Sequence, residues 1–217
     1  MMPKRSGLHR FVRPRYLFGL LLFAACLPGL QGLWMLSKAQ LAQYLLQQAW
    51  VESIEKGGNV RPWPWADSWP VARLRWSDAN IDMLVLFGAQ GSSLAFAPGL
   101  AEAANGAKMI SAHRDTHFRF LSKLHVGDTI ELQERDGVWQ SWQVEFAEIH
   151  DINKDRLWLG EGELLLVSCY PFEQIEAGGP LRFVLRLRRV EVQTATSLTA
   201  NRPSPVMGLG HVLRLAI

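Results

Sequence analysis

The sequence predicts a mostly β fold, a closed or nearly closed barrel of seven or eight short strands with few helices, preceded by an N-terminal transmembrane helix. From residue 71 to residue 190, short runs rich in Val, Ile, Leu, Phe and Trp alternate with Gly, Asp and Asn. This alternation is typical of short strands joined by turns. Nearer the N-terminus, residues 16–37 carry no charged side chain, which is typical of a membrane span.

Composition and charge narrow the class of protein. The chain has 217 residues, of which 48% are hydrophobic and 20% charged, values that exclude wholesale disorder, collagen-like repeats and a disulfide-stapled scaffold. The net charge is +3, but the excess lies before residue 16, where five Lys and Arg residues occur without any Asp or Glu. A basic tip of this kind does not indicate a nucleic-acid partner.

Residues 16–37 are predicted to be an uncleaved signal anchor. At ~1.5 Å per residue, a helix of this length crosses a hydrocarbon core of roughly 30 Å. Pro28 weakens its second half, although a lipid-embedded helix tolerates proline better than charge. The basic residues before the segment place residues 1–15 in the cytoplasm and the rest of the chain on the other side of the inner membrane.

Two other interpretations of the N-terminus are weaker. A cleaved signal peptide requires a shorter apolar core and a small-residue cleavage site, and no clean site follows the apolar run. The sequence Phe23–Cys26 only loosely resembles a lipoprotein cleavage box, because Leu is missing at the third position before the cysteine. Cys26 is then a small apolar residue within lipid and cannot pair with Cys169 in the exported domain.

Residues 38–70 are predicted to connect the anchor to the barrel. The apolar spacing from Trp34 to Lys56 predicts an amphipathic helix that ends at Gly57-Gly58. Residues 61–70 are rich in Pro and Trp and cannot be helical, because proline lacks the donor and restricts its neighbour. We expect an extended strap whose tryptophans pack on the domain surface; a sugar or membrane interface is the less favoured alternative.

Residues 71–190 are predicted to form the barrel. A hairpin turn is expected at Asp136-Gly137, and apolar residues at helical spacing predict a short helical turn at Phe118–Leu124. The remaining residues, 191–217, are polar and contain proline, and are expected to be a loosely attached tail. The predicted strands are Ala72–Trp76, Ile81–Phe87, Lys108–Ala112, Thr129–Gln133, Trp139–Ile149, Leu164–Ser168 and Arg182–Val190.

Two strand ends carry residues suited to nucleophilic catalysis. Cys169 follows an apolar strand and precedes Tyr170-Pro171, where the chain must turn, so its thiol is expected at the barrel rim. His113 likewise follows a strand and opens a polar run. Two adjacent strand ends would bring these side chains together, and imidazole is the usual group that activates a cysteine. Each residue alone has a plain alternative, a buried cysteine or a surface histidine.

Arg182 is the candidate for stabilising negative charge. It begins the strand that returns from the cysteine loop, and period-2 alternation places Arg186 and Arg188 on its face. At ~3.3 Å per residue, Arg186 lies roughly 13 Å further along the strand. A guanidinium at the position of Arg182 could bind a substrate carbonyl or an oxyanion.

At these residues a resemblance to a known family becomes specific. The runs His113–Phe118, Gly127-Asp128 and Leu164–Pro171, followed by Arg182, resemble a sortase, and most of all the Gram-negative class. The similarity covers about residues 69–190. It implies a closed eight-stranded, sortase-like β-barrel with short helices, anchored in the inner membrane with the catalytic domain in the periplasm.

The resemblance also implies an activity. Sortases are transpeptidases that cleave a sorting motif near the C-terminus of a secreted protein, form a thioacyl intermediate and pass it to an amine acceptor of the cell envelope, or to water. The implied roles are nucleophile for Cys169, general acid and base for His113, and oxyanion or substrate-orienting cation for Arg182. No step requires a metal or an organic cofactor.

The sequence departs from the family pattern beside the site. Ala112 stands where the family usually has Gly before the histidine, and Leu165 and Ser168 stand where it usually has Thr. Ser168 keeps a hydroxyl group. Together with Asp115 and His117 in the loop after the histidine, it is expected to shape the site or contact substrate.

Several rival functions are less consistent with these residues. A zinc site at His113 and His117 lacks the Glu of the hydrolase motif, and Arg114 would repel the ion. A papain-like hydrolase has its Cys before its His, and an L,D-transpeptidase has a compact Ser-His-Gly-Cys run that is absent from this sequence. Hydrolysis at the same site, or a non-enzymatic barrel adaptor with an inert thiol, remain the alternatives.

Overall fold

The computed structural model describes residues 14–89, 91–154, 156–174, 178–190 and 211–212. The chain divides into two compact units, the first ending at Ala42 and the second beginning at Gln43. The regular elements within the described residues are one α-helix, three short 3-10 helices (Ser77–Ala79, Gly91–Ala95 and Arg119–Lys123) and ten strands. They are α1 (Pro14–Lys56), β1 (Pro70–Trp76), β2 (Ile81–Phe87), β3 (Gly99–Glu102), β4 (Lys108–Ser111), β5 (Thr129–Glu134), β6 (Trp139–Asp151), β7 (Trp158–Leu159), β8 (Leu164–Cys169), β9 (Leu181–Arg189) and β10 (His211–Val212).

Eight of these strands close into a barrel, as predicted. The order around the barrel is β1-β2-β3-β4-β8-β9-β6-β5, with β5 also paired to β1. The pairs β2–β3 and β4–β8 are parallel, and the others are antiparallel. Strand β7 lies outside the barrel and pairs with β10. Every predicted strand is present, with bounds that differ by at most two residues.

Strand β3 was not predicted. Its four residues include a glycine and only two apolar residues, which is too little for a recognisable strand pattern. Its glycine is required by a close backbone approach. A Cβ at Gly99 would lie 2.1 Å from the carbonyl oxygen of Gly88, so no larger residue fits without moving the backbone. The feature that places β3 is thus a tertiary contact, which local sequence pattern does not encode.

The turn predictions are confirmed. The hairpin between β5 and β6 turns at Asp136-Gly137, where Gly137 has a φ of 78°. The predicted helical turn at Phe118–Leu124 is the 3-10 helix Arg119–Lys123. Its Leu121 is fully buried, together with the preceding Phe118.

Alternate residues of the central strands feed two separate apolar clusters. The main cluster fills the barrel interior and includes Ile110, Leu166 and Leu185. The second cluster lies on the outer face of β4, β8 and β9, where Leu157 and Leu159 of the segment around β7 cover it. Strand β8 is therefore buried on both faces, which explains why its sequence is apolar without alternation.

Helix α1 covers the segment predicted to cross the membrane and continues through the predicted amphipathic helix to Lys56. Nowhere in the described residues does a helix offer a stretch both long and apolar enough to span a membrane, so the predicted transmembrane helix is not found. Pro28, Gln31 and two glycines lower the hydropathy of the second half of residues 16–37.

The last part of α1, from Gln43 onward, packs within the barrel unit. Leu46 and Trp50 are buried in a third cluster with Leu84 and Leu86, on the outer face of β2. The helix ends as predicted at Gly57, whose φ of 73° is left-handed.

The Pro/Trp strap packs on the barrel as the favoured interpretation predicted. Trp69 stacks on Phe87 with ring centroids 4.6 Å apart, and Trp63 meets Phe96 edge-on at 5.2 Å. Trp65 is the exception, with 79% of its surface exposed.

The predicted domain limits at the two ends fall mostly outside the described residues. Residues 1–13 of the predicted cytoplasmic tip lie outside them, as do residues 191–210 and 213–217 of the predicted loose tail. The two described tail residues, His211 and Val212, pair with β7 as strand β10.

Replacing Trp50 tests the packing of α1 on the barrel. Trp50→Ala removes a side chain that is 1% exposed, and we expect it to lower the free energy of unfolding by about 3–5 kcal/mol. Trp65→Ala, at the exposed strap position, is the control and should change it by less than about 0.5 kcal/mol. Denaturant unfolding of both variants measures the difference, and equal losses would contradict the described packing.

Candidate active site

The parallel pair β4–β8 brings the predicted histidine and cysteine to the same end of the barrel. Its register pairs Ser111 with Val167, and the Ala112 amide donates to the Val167 carbonyl at 3.3 Å. The buried Ser168 hydroxyl donates to the Ala112 carbonyl at 3.1 Å, so this predicted site-shaping residue links the two strand ends. The next residues along the two strands are His113 and Cys169.

The antiparallel pair β8–β9 places the predicted arginine directly opposite the cysteine. Cys169 pairs with Arg182, and on the next strand Arg182 pairs with His150 of β6. Paired residues project from the same face of a sheet. Cys169, Arg182 and His150 therefore form a row across three adjacent strands, which we call the site row, and His113 follows β4, the strand on the other side of β8.

The site row lies on the outer face of the barrel. In β8 the interior positions are Leu164 and Leu166, whereas Leu165 and Val167 belong to the outer cluster. Cys169 lies on the same outer face, is half-buried and has a free thiol. Cys26 is also free and is exposed.

Arg182 is buried, and one of its hydrogen-bond donors has no partner among the described residues. It is only 5% exposed, and its Nη1 donates to the carbonyls of Gly179 at 2.7 Å and Leu181 at 3.0 Å. Within the part of the chain that the structure describes, its Nε is buried without a hydrogen-bond partner. Buried donors are normally satisfied, so this N–H is suited to an oxygen atom of a ligand.

Two other arginines of β9, Arg186 and Arg188, form ion pairs with glutamates. Arg186 pairs with Glu148 at 2.8 Å and with Glu163 at 3.1 Å, and the more exposed Arg188 pairs with Glu145 at 3.1 Å. Both lie further along the strand from Cys169 than Arg182 does. Of these three arginines, Arg182 is the one paired with Cys169.

Asp115 binds a residue that the sequence analysis did not assign to the site. Its carboxylate accepts two hydrogen bonds from Arg114, at 2.8 and 3.2 Å. The bond to Arg114 holds the pKa of Asp115 below its usual value, and the same bond raises the pKa of Arg114. Arg114 is 3% exposed; its burial was not predictable, because a charged residue in a polar run is normally solvated.

His117 supports the loop next to the site row. It is half-buried, and its Nδ1 lies 3.3 Å from the Thr116 hydroxyl oxygen. Burial lowers the pKa of His117, and a hydrogen bond to the backbone of Phe96 partly opposes this shift. Among the described residues, no group of three or more His, Cys, Asp or Glu side chains could hold a metal ion.

His150 is half-buried and lies opposite Arg182 in the β6–β9 register. The 13-residue length of β6 and its bulge after Val144 set this position, and neither is evident from local pattern. A cavity of about 370 Å³ adjoins it, lined also by Glu148, Arg156, Trp158 and Arg186. His125, by contrast, has an exposed side chain.

Comparison with known proteins identifies the family. A sequence model of the sortase domain matches residues 74–190, more than half of the chain, and the chain belongs to the sortase family, whose members are cysteine transpeptidases acting on proteins that bear a sorting motif. Sortase D of Bacillus subtilis (strain 168) is 31% identical over 88 residues, which cover 40% of this chain and 44% of that protein. The chain thus aligns with less than half of the length of this relative.

Solved sortase structures resemble the chain more distantly in sequence. Sortase A from Corynebacterium diphtheriae is 16% identical with a TM-score of 0.48, over 60% of this chain and 65% of that one. Sortase C from Clostridium perfringens SM101 is 16% identical with a TM-score of 0.48, over 72% and 91% of the two chains.

The lowered pKa of His117 predicts a pH dependence of stability. Because the unfolded chain takes up this proton near the ordinary pKa of 6.5 and the folded chain only at lower pH, the free energy of unfolding falls as the pH drops below that value and through the folded pKa. His117→Gln should lose less stability than wild type between about pH 7.5 and about pH 5. His125→Gln, at an exposed site, should keep the wild-type profile, and an unchanged profile for His117→Gln would contradict the assignment.

Proposed function

We propose that this protein is a sortase of the Gram-negative class that cleaves a sorting motif near the C-terminus of a secreted protein and transfers the acyl fragment to an amine. The observation that carries the proposal is the direct pairing of Cys169 with Arg182, with His113 following the adjacent parallel strand β4. Membership of the sortase family supports the reaction class. The motif His113–Phe118 supports the Gram-negative class by resemblance.

In the first half of the proposed reaction, the Cys169 thiolate attacks the carbonyl carbon of the scissile peptide bond. The carbonyl oxygen takes up the negative charge, and the Nε–H of Arg182, which has no hydrogen-bond partner among the described residues, donates a hydrogen bond to it. As the C–N bond breaks, the imidazolium of His113 gives its proton to the leaving amine. The products of this step are a thioester at Cys169 and a free C-terminal fragment.

In the second half, an amine from the cell envelope attacks the thioester carbon. His113, now neutral, accepts the proton of the attacking amine, and the Cys169 sulfur leaves as thiolate. The new amide bond releases the product and restores the starting charges of the pair. Where water enters in place of the amine, the same steps release a carboxylic acid, so hydrolysis is the competing outcome of this site.

The cavity beside His150 is suited to part of the substrate. It adjoins Arg182 through the β6–β9 pairing and carries both signs of charge, from Glu148 and Arg156, with the half-exposed ring of Trp158. Such a mixed lining fits a peptide segment better than a wholly apolar ligand. We place the substrate chain across the site row, with one of its side chains in this cavity.

We further propose that the enzyme works at the inner membrane, with the barrel in the periplasm. The support is the charge pattern of the N-terminal segment, in which five basic residues precede the uncharged residues 16–37. Basic residues before such a run stay on the cytoplasmic side. Residues 38–217 would then face the secreted substrates.

Fractionation and reporter fusions test this location. We expect the full chain in the membrane fraction, with a periplasm-active reporter fused after residue 190 giving signal and a cytoplasm-active reporter giving none. A cytoplasmic barrel would refute the proposal. A mature N-terminus near residue 38 would show that the segment is removed.

Product analysis with labelled peptides tests the activity. Candidate C-terminal peptides of secreted proteins, incubated with the full chain, should yield a cleaved acid without added amine and an amide product when diaminopimelate or triglycine is added. Cys169→Ala should abolish both products, because no thioester can form. Cys26→Ala should retain them.

The role of Arg182 is tested by conservative replacements in the same assay. Arg182→Lys should lower turnover by ~10²–10³, the typical cost of losing a donor to an oxyanion, because Lys lacks the planar fork. Arg188→Lys, which keeps the charge opposite Glu145, is the matched control and should stay near wild type. A silent Arg182→Lys together with a crippled Arg188→Lys would mean that the site is misassigned.

A further inference from the structure

The guanidinium of Arg114 joins the two loops that follow the catalytic strand ends. It is buried, at 3% exposure, and its Nε and Nη2 donate to the Asp115 carboxylate within its own loop. Its Nη1 donates to the Pro171 carbonyl at 2.5 Å, and its Nη2 to the Gln174 carbonyl at 2.7 Å. One side chain thus binds the loop after His113 to the loop after Cys169.

The contacts of Arg114 lie within a few residues of His113 and Cys169 along the chain. Arg114 directly follows His113, and Pro171 is the second residue after Cys169. The loop that carries Pro171 and Gln174 also leads into β9 and Arg182. A relative shift of the two loops would therefore change the separation of the imidazole and the thiol, and errors of about 1 Å in such geometry can cost ~10²-fold in rate.

We infer that Arg114 is a positioning residue that holds His113 and Cys169 in register by clamping their two loops together. This inference rests on the proposed function, because it takes His113 and Cys169 to act as a pair. A buried charge is retained only with full hydrogen bonding, and the bidentate contact with Asp115 supplies it. Lysine could supply the charge but not this fork of donors.

Arg114 also interacts with the cysteine through its charge. After the hydrogen bond and the charge of Asp115, the negative charge of a Cys169 thiolate further raises the pKa of Arg114. A direct electrostatic effect on the thiol would operate whether or not His113 is present. Positioning of the His113–Cys169 pair would have an effect only when His113 is present. The dependence on His113 therefore separates a positioning role from an electrostatic one.

A double-mutant cycle on thiol reactivity provides the test. The rate of alkylation of Cys169 by iodoacetamide is measured in the full chain carrying Cys26→Ala, so that one thiol remains. The rate with Arg114→Gln is compared with the rate of the protein that retains Arg114. The comparison is made once with His113 present and once in a His113→Ala background. We expect Arg114→Gln to slow alkylation about tenfold when His113 is present and less than about twofold when it is absent.

A matched control separates loop clamping from the loss of any Arg–Asp pair. Arg73 makes the same bidentate contact with Asp82, at 2.6 and 2.9 Å, on the β1–β2 side of the barrel. Arg73→Gln should leave the alkylation rate unchanged in both backgrounds. Arg114→Lys should fall close to Arg114→Gln, since charge alone does not bridge the loops.

The outcomes that overturn the inference are distinct from failure of the proposed function. Equal losses from Arg114→Gln in both backgrounds would refute positioning, because an effect independent of His113 is electrostatic or generally structural. If Arg114→Gln does not fold, Asp115→Asn at the exposed partner replaces it, with a smaller loss and the same dependence on His113 expected. A wild-type rate in His113→Ala alone would refute the catalytic pair, and the positioning role with it.

Discussion

The parallel pairing of β4 with β8 is the constraint on which the site depends. Parallel strands present their carboxyl ends at the same rim of a sheet, so the residues that follow both strands meet there. His113 and Cys169 are 56 positions apart in sequence, the same offset that separates Ser111 from Val167 in the register. Had β8 run antiparallel to β4, its carboxyl end would lie at the opposite rim. The both-face burial of β8, between the interior and outer clusters, fixes this register, because a slip of one residue would exchange its two faces.

Arg182 reaches the site by a different route. The chain leaves Cys169, turns and returns antiparallel as β9, so that the strand begins opposite the thiol. Two buried guanidinium groups, Arg114 and Arg182, flank this turn. They are held differently: Arg114 donates to a carboxylate and two carbonyls, whereas Arg182 keeps a buried Nε without a partner among the described residues. The first arrangement is typical of a fixed support, whereas a buried donor without a partner is uncommon in folded proteins.

Seven of the eight barrel strands were predictable from the sequence, because they follow from apolar runs with Gly and Pro punctuation. The assignment of Cys169, His113 and Arg182 to the site stays a prediction from residues at strand ends. Other features depend on contacts distant in sequence. Gly99 is required by Gly88, and His150 is brought beside Arg182 by a bulge and a long strand. The burial of Arg114 depends on carbonyls 57 and 60 residues away. Local pattern carries no information about such partners.

Cys169 lies on the outer face of β8, whereas the residues of the same strand that fill the barrel interior lie on its other face. The candidate site is thus separate from the interior core. Interior positions such as Leu164 and Leu166 point away from the site row, and no residue of the row contributes to the interior cluster. The interior can therefore be repacked, for heat resistance or for a smaller domain volume, without redesigning the reactive surface. Conversely, the surface can be altered to accept a different peptide while the interior still specifies the same fold. On the outer face of β8 this freedom begins only at Cys169, because Leu165 and Val167 are buried in the second cluster.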